Sequence, residues 1–275
     1  TNFDSYTEDD YNRKGSYTYG TGESFSYEGD LTLQYNKTVD TRHLITLGAS
    51  YNIYEAKSED YSVTAEGISI LNMDFLGMAS LYEKDGRPSG SESISRRLGT
   101  TFNANYIFDR RYFADISAKV EGSSRFGSEK RYAPFWSTGI GWNLHNESFM
   151  KNNPIFNIAR LRLSYGTSGN QSFSPYQALT TYRNYMGKGY KGWYGVYVMG
   201  LGNPDLGWQT TRQLNVGTEA ELFKGRIRLN VDVYNKVTDN LLSDIDLPSA
   251  SGFTNYKANI GKVSNKGAEA TLNVY

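Results

Sequence analysis

The chain has no cysteine in its 275 residues, which excludes a disulfide framework and a thiolate metal site. It has no excess of charge: 29 basic side chains balance 29 acidic ones, whereas nucleic-acid binding normally shows a basic excess or stripe. No run of about 18 apolar residues is present to cross a bilayer as a helix. Histidine is nearly absent, with only His43 and His145. Both fall in or beside short turns, where a histidine is ordinarily solvated. A hydrolytic site needs a general base beside a nucleophile or an activated water. No carboxylate pair stands out as a substitute, so no catalytic residue is assigned. Metal binding is equally thin. Glu8-Asp9-Asp10 and Glu59-Asp60 lack the spacing of a calcium loop, and Gly187-Lys188-Gly189 lacks that of a phosphate loop. No metal or cofactor is expected. The opening Thr1-Asn2-Phe3-Asp4 has neither the charged nor the apolar part of a leader peptide. For an exported protein, the expectation is a leader already processed off, or a chain that starts well inside its gene product.

Aromatics are plentiful: 23 Tyr, 13 Phe and four Trp make 15% of the chain. The mean hydropathy is low, at −0.59. A transmembrane barrel reconciles the two, because alternate residues of each strand face lipid and lumen and the average comes out polar. A Tyr-rich β-sandwich shows the same bias, so composition alone does not choose.

Period-two alternation recurs along the chain and almost nothing reads as a helix. Leu31, Leu33 and Tyr35 alternate with Thr32, Gln34 and Asn36. Ile45, Leu47, Ala49, Tyr51 and Ile53 alternate with Leu44, Thr46, Gly48, Ser50 and Asn52. One hairpin runs from Leu98 to Gly122 and turns at Asp109-Arg110-Arg111. A second pairs Leu214–Leu222 with Ile227–Val233 and turns at Lys224-Gly225. Further strands are expected near Ser16–Gly20, Trp136–Leu144, Arg160–Gly166 and Tyr256–Tyr275. The last reads as one long strand with a bulge at Asn265-Lys266-Gly267. The total is nine or ten strands, and spanning strands need about 9–11 residues.

Connection lengths separate into two sets. Short turns fall near 37–42, 109–111 and 223–225, with 146–157 on the same side by count. Long polar segments fall near 57–96, 123–134, 168–207 and 239–255. The two sets alternate around the strands, which is the asymmetry of outer-membrane barrels with short turns in the periplasm. A sandwich has no reason to segregate loop lengths so strictly. The fold class is therefore all-β, an antiparallel transmembrane β-barrel. The alternative is an independently folded β-protein, either a small passive pore or an extracellular binding module. That module would bury one sheet face against another.

Several ordered runs carry a resemblance. They are Glu121-Gly122-Ser123-Ser124-Arg125-Phe126-Gly127, then Arg131-Tyr132-Ala133-Pro134-Phe135-Trp136-Ser137, then Gly141-Trp142 with Glu147-Ser148-Phe149. Next come Leu161 to Gln171, Asn203-Pro204-Asp205-Leu206-Gly207-Trp208-Gln209-Thr210-Thr211, Tyr234 to Leu242, and Asn259 to Glu269. In this order they resemble signature segments of the SusC/RagA-type TonB-linked outer-membrane transporters. Ala133-Pro134-Phe135-Trp136 departs from the family's usual run and is expected to alter a turn there. The resemblance implies a barrel of about 22 strands around an internal plug. It implies import of a large nutrient, an oligosaccharide or a peptide, with energy drawn through TonB and a SusD-like surface lipoprotein as cap. It places the protein in the bacterial outer membrane, against outer-membrane lipid, and implies no enzymatic step. On this reading residues 1–275 are part of one barrel domain. The plug, the TonB-contacting segment and the closing strands lie outside the chain.

One loop stands apart. Tyr182, Tyr185, Tyr190, Trp193, Tyr194 and Tyr197 crowd into sixteen residues among Gly and Lys. Aromatic faces pack on sugars or peptide side chains and make natural anchors. Tyr190, Trp193 and Tyr194 are the candidate substrate-binding residues, lining the substrate chamber or the lipoprotein contact. The other reading is that these rings pack loops together or sit at the membrane interface. Arg125 and Arg162 are read as lumen-facing arginines held in structural ion pairs.

Overall fold

Alternating apolar and polar residues give each strand two unlike faces, and the sheet keeps them apart. The computed structural model describes residues 12–68, 75–83, 86–150, 153–171, 173–190 and 193–275, with side chains described outside 185–194. Its strands are β1 (Ser16–Val39), β2 (His43–Glu66), β3 (Leu81–Tyr82), β4 (Ser89–Phe108), β5 (Tyr112–Ser123), β6 (Tyr132–Asn143) and β7 (Phe156–Asn170). They continue as β8 (Thr181–Tyr190), β9 (Trp193–Gly200), β10 (Gln209–Leu222), β11 (Ile227–Asp239), β12 (Leu242–Asp246), β13 (Asn255–Asn259) and β14 (Lys262–Val274). The main sheet has the order β1-β2-β4-β5-β6-β7-β10-β11-β14, with β3 beside β2. The pairs β8–β9 and β12–β13 form two hairpins off that sheet. The main sheet's nine long strands and one short one agree with the expected nine or ten, while β8, β9, β12 and β13 are four strands beyond that count. Among the described residues, β1 and β14 each have a sheet neighbour on one side only.

Short turns and long loops alternate as expected. Asp40 and Thr41, like Asp109 and Arg110, take consecutive left-handed conformations, with φ of 51° and 57° and of 50° and 58°. Two positive φ values in a row match the twist of a tight hairpin. The Arg110 carbonyl accepts from Asn143 Nδ2 at 2.9 Å and from Asn146 Nδ2 at 2.7 Å, so the β4–β5 turn is tied to the β6–β7 connection.

Three expectations need correction. Ser16–Gly20 is no separate short strand; it opens the 24-residue β1. Mostly small and polar residues between Gly20 and Leu31 hide the alternation, while backbone pairing continues regardless of side-chain type. The final segment is two strands, broken at Ile260-Gly261, because Gly261 sits at φ 100° where an L side chain is strained. No bulge occurs at Asn265-Lys266-Gly267, and the β11–β14 ladder runs from Ile227↔Val274 to Asp239↔Lys262 without a shift. The Ala133-Pro134-Phe135-Trp136 departure lies inside β6, with Pro134 opposite Val120, rather than in a turn.

The register aligns apolar residues into rows on one face. One row is Tyr106, Ala114, Ile140, Leu163, Val216, Val233 and Ala268, crossing six strand pairs directly opposite one another. These side chains are not covered: Ile140 is 55% exposed and Val216 51%. A soluble sheet would bury that face against a second layer, and here it lies open. An apolar face of this extent needs lipid.

The described residues divide into two compact groups. The first comprises residues 12–27 and 55–95. In it Arg13 bridges Glu66 at 2.9 Å and donates to the Tyr82 carbonyl at 3.0 Å, which fastens β3 to its neighbour. The second comprises residues 28–54 and 96–275, and it holds every feature considered next.

Candidate functional site

At the long-loop end of the second group, a small conventional core replaces the open face. Phe126, Phe135, Phe173 and Trp208 pack together with Ala133 and Leu242 against them. Phe126 and Trp208 have ring centroids 4.3 Å apart, and Phe173 meets Phe126 edge-on at 5.2 Å. Leu206, with no exposed surface, is buried in the same region of the fold. Polar groups close the assembly. The Gly127 amide donates to the Leu206 carbonyl at 2.8 Å, and Trp208 Nε1 to the Arg131 carbonyl at 3.2 Å. Arg125 Nη1 donates to the carbonyls of Phe173 at 2.9 Å and Gln171 at 3.3 Å. Arg125, placed beyond the end of β5, clamps the loop through these two carbonyls. Gly127 has to be glycine: a Cβ there would meet the Pro204 carbonyl oxygen at 1.8 Å.

The segment 203–208 is held from its other side by asparagines. Asn259 Oδ1 accepts from the Gly207 amide at 2.7 Å, and its Nδ2 donates to the carbonyls of Gly207 and Asn240, each at 2.9 Å. Asn203 Nδ2 donates to the Lys257 carbonyl at 2.9 Å, while its Oδ1 accepts from the Asp205 amide at 3.0 Å. A carboxamide can do both jobs at once because it carries an acceptor and two donors.

The polar face of the sheet has its own pattern. Phe113, Gly141, Arg162, Gly217, Asp232 and Glu269 stand opposite one another across six strands. Through Asp232, large and glycine residues alternate, so each long side chain lies flat over a bare neighbour. Arg162 Nη2 reaches Asp232 Oδ1 at 2.9 Å and Oδ2 at 2.6 Å, passing over β10 at Gly217. A Cβ on Gly217 would meet both Arg162 Nε and Asp232 Oδ1. Ser164, Gln213, Asn215, Tyr234 and Lys236 complete a polar hollow of about 820 Å³ around this pair.

At the short-turn end, His43, Phe108, Tyr112 and Trp142 form a chain of rings with centroids 5.0 to 6.5 Å apart. Glu147 ends it. Its Oε1 accepts from Tyr112 Oη at 2.8 Å and Trp142 Nε1 at 3.0 Å, and its Oε2 from Arg111 at 3.3 Å. The Tyr112 hydrogen bond, then that of Trp142, then the charge of Arg111 hold the Glu147 carboxyl below its ordinary range against the opposing effect of desolvation. Neither histidine is simply solvated. His43 Nδ1 meets Tyr106 Oη at 2.8 Å, and His145 Nδ1 meets the Ala159 backbone at 3.1 Å. Both are used as structural hydrogen-bonding rings.

The aromatic loop folds as the β8–β9 hairpin, in which Tyr190 and Trp193 are backbone partners. Tyr194 follows Trp193 in β9. The side chains of all three candidates, Tyr190, Trp193 and Tyr194, fall outside the described residues. Tyr182 and Tyr197 on the same hairpin are exposed. Glu8-Asp9-Asp10 also lie outside the described residues.

Over residues 1–275 the chain matches the family described as TonB dependent receptor-like, beta-barrel. The chain belongs to this family. Among curated relatives, TonB-dependent receptor P39 of Formosa agariphila is 31% identical over 259 residues, covering 90% of this chain and 24% of the relative. TonB-dependent receptor SusC of Bacteroides thetaiotaomicron is 30% identical, covering 62% of this chain and 17% of SusC. Among solved structures, a chain of the RagAB peptide transporter superposes with a TM-score of 0.86 at 26% identity, covering 93% of this chain and 28% of that one. The chain spans about a quarter of the length of the curated relative P39.

As a TonB-dependent receptor β-barrel, the sheet has its open apolar face toward lipid and its polar face toward the lumen. The ring chain at the short turns is an interfacial aromatic girdle, and the buried clamp stands on the long-loop side. Sequence reasoning singled out the clamp segments as signatures without finding their role. The available signal was the pairing of Asn, Gly and aromatic residues in loops, where polar side chains fix backbone. Glu147, quoted within a signature run, gave no hint that three donors converge on it.

Proposed function

We propose that this chain is part of the wall of a transporter that imports a large nutrient across the bacterial outer membrane by TonB-dependent active transport. The family match over residues 1–275 carries this reading, supported by the likeness to the RagAB peptide transporter. That likeness makes a peptide the first cargo class to test, and an oligosaccharide the second. The internal plug, the segment that contacts the TonB complex and the closing strands belong to the whole protein outside these residues. A SusD-like surface lipoprotein completes the cargo chamber on the long-loop side. Tyr190, Trp193 and Tyr194 on the β8–β9 hairpin contact cargo through their ring faces. No bond is made or broken in the cycle, so the protein is a transporter and not an enzyme.

The test uses the whole gene product in its own host. Deleting the gene should abolish growth on a peptide or oligosaccharide source that the parent uses, and the intact gene should restore it. A version uncoupled from TonB should bind cargo at the cell surface and fail to accumulate it. Accumulation that continues without TonB would overturn the reading in favour of a passive pore.

A further inference from the structure

The segment 203–208 leads from the end of β9 to the start of β10, so whatever holds it sets where the β8–β9 hairpin leaves the wall. It is gripped from two sides. On one side Gly127 and Glu129 of the β5–β6 loop donate to the carbonyls of Leu206 at 2.8 Å and Pro204 at 3.4 Å. On the other, Asn259 at the end of β13 takes both the amide and the carbonyl of Gly207. The entry to the hairpin runs through the same core, where Phe173 packs with Phe126 and Trp208, and Thr180 Oγ1 accepts from the Gly202 amide at 3.2 Å. Through its side chain, Asn259 joins the base of β8–β9 to the second hairpin, β12–β13, and through the Asn240 carbonyl to the end of β11.

We propose that Asn259 is a positioning residue for cargo capture, one that aims the β8–β9 hairpin by locking Gly207 to β13 and the β11 exit. It acts through the hairpin and touches no cargo itself. Leu, Asp or Ser at this position cannot reproduce the arrangement, because the site needs one acceptor and two donors on a short planar group. The change Asn259→Asp would keep the acceptor for the Gly207 amide and turn an oxygen toward two carbonyls. The inference rests on the reading of β8–β9 as the cargo-contacting element.

The experiment takes the full-length transporter with its partner lipoprotein and compares the parent with Asn259→Asp and Asn259→Ala. Amide exchange is followed by mass spectrometry, and retention of two probes is measured: a tryptic peptide pool and a malto-oligosaccharide mixture. Each variant loses hydrogen bonds of ordinary strength, so exchange over residues 195–208 should rise about tenfold, with the β10–β11 ladder unchanged. Retention of whichever probe the parent binds should fall by a similar factor. Unchanged exchange over 195–208 would overturn the positioning role. Faster exchange with full retention would overturn it too, since the hairpin would then not serve capture. Retention of neither probe by the parent would overturn the capture role along with the reading of β8–β9 as the cargo-contacting element, and faster exchange would then show only that Asn259 fixes the segment 203–208. Thermal unfolding of all three proteins checks that the wall is intact in each variant.

Discussion

The wall strands and the loop clamp use the same apolar residue types and hold them in opposite ways. Phe102, Ile116 and Val216 stand open on the outer face of the wall, while Phe126, Phe173 and Leu206 are sealed inside the loops. In the wall, cohesion comes from backbone ladders that run unbroken for a dozen residues, as between β10 and β11, and the apolar rows are completed by lipid. In the clamp there is little ladder, and aromatic packing with side-chain hydrogen bonds to backbone does the holding. A barrel can thus keep its long loops shaped without a second layer of structure beneath them.

The sharpest way to break this comparison is to remove the clamp. Trp208→Ala should cost about 3–5 kcal/mol of local stability. Amide exchange should quicken over residues 125–131 and 203–208, with the β10–β11 ladder still protected. Equal loosening of both would mean that clamp and wall are one cooperative unit. Sidedness of the wall is tested next. Val216→Arg, on the outer face, should cost about 2–4 kcal/mol in denaturant unfolding from lipid vesicles. Asn230→Arg, on the inner face one strand away, should stay within about 0.5 kcal/mol; similar costs at both sites would mean the outer face does not meet lipid.

A smaller effect concerns the inner rows. Gly217→Val forces atoms into the space used by Arg162 and Asp232 and should cost about 1–3 kcal/mol. The same change should cost less on an Arg162→Ala, Asp232→Ala background, and a double-mutant cycle measures the difference. The smallest effect is at the girdle. Glu147 is held below its ordinary range in the fold, so its ionised form is favoured by folding. Its contribution is complete above the unfolded value of about 4.3 and is lost as pH falls through the lowered folded value. Glu147→Gln should lower stability at neutral pH, where the ionised carboxylate contributes, and flatten the acid limb, so that the two profiles converge at low pH. An identical acid limb in the variant would remove Glu147 from the account.

The parts legible in sequence were those where side-chain period and backbone pairing coincide. The Leu98–Gly122 hairpin turns at Asp109–Arg111 as its alternation dictates, with Phe108 opposite Tyr112. The 214–233 hairpin closes with Leu222 opposite Ile227. Alternation fails as a guide between Gly20 and Leu31, where β1 runs on through mostly small and polar residues, and at Gly261, where one backbone angle splits a run that looks continuous. The candidate site was legible as motif and not as mechanism. Nothing in the spacing announces that Asn203 reaches the Lys257 carbonyl or that Asn259 reaches Gly207, because the fold brings these residues together across more than fifty positions. The convergence of Tyr112, Trp142 and Arg111 on Glu147 was hidden for the same reason. The histidines were misread because a turn position says nothing about the strand lying beside it.

The alternation of glycine with large residues across the inner face has a mechanical meaning. Arg162 and Asp232 lie along the surface over Gly217 instead of projecting from it, and Phe113 lies over Gly141 in the same way. The inner wall is paved where it could have bristled. The charges of Arg162 and Asp232 are fixed in place and matched, so this stretch of the surface presents few loose ends.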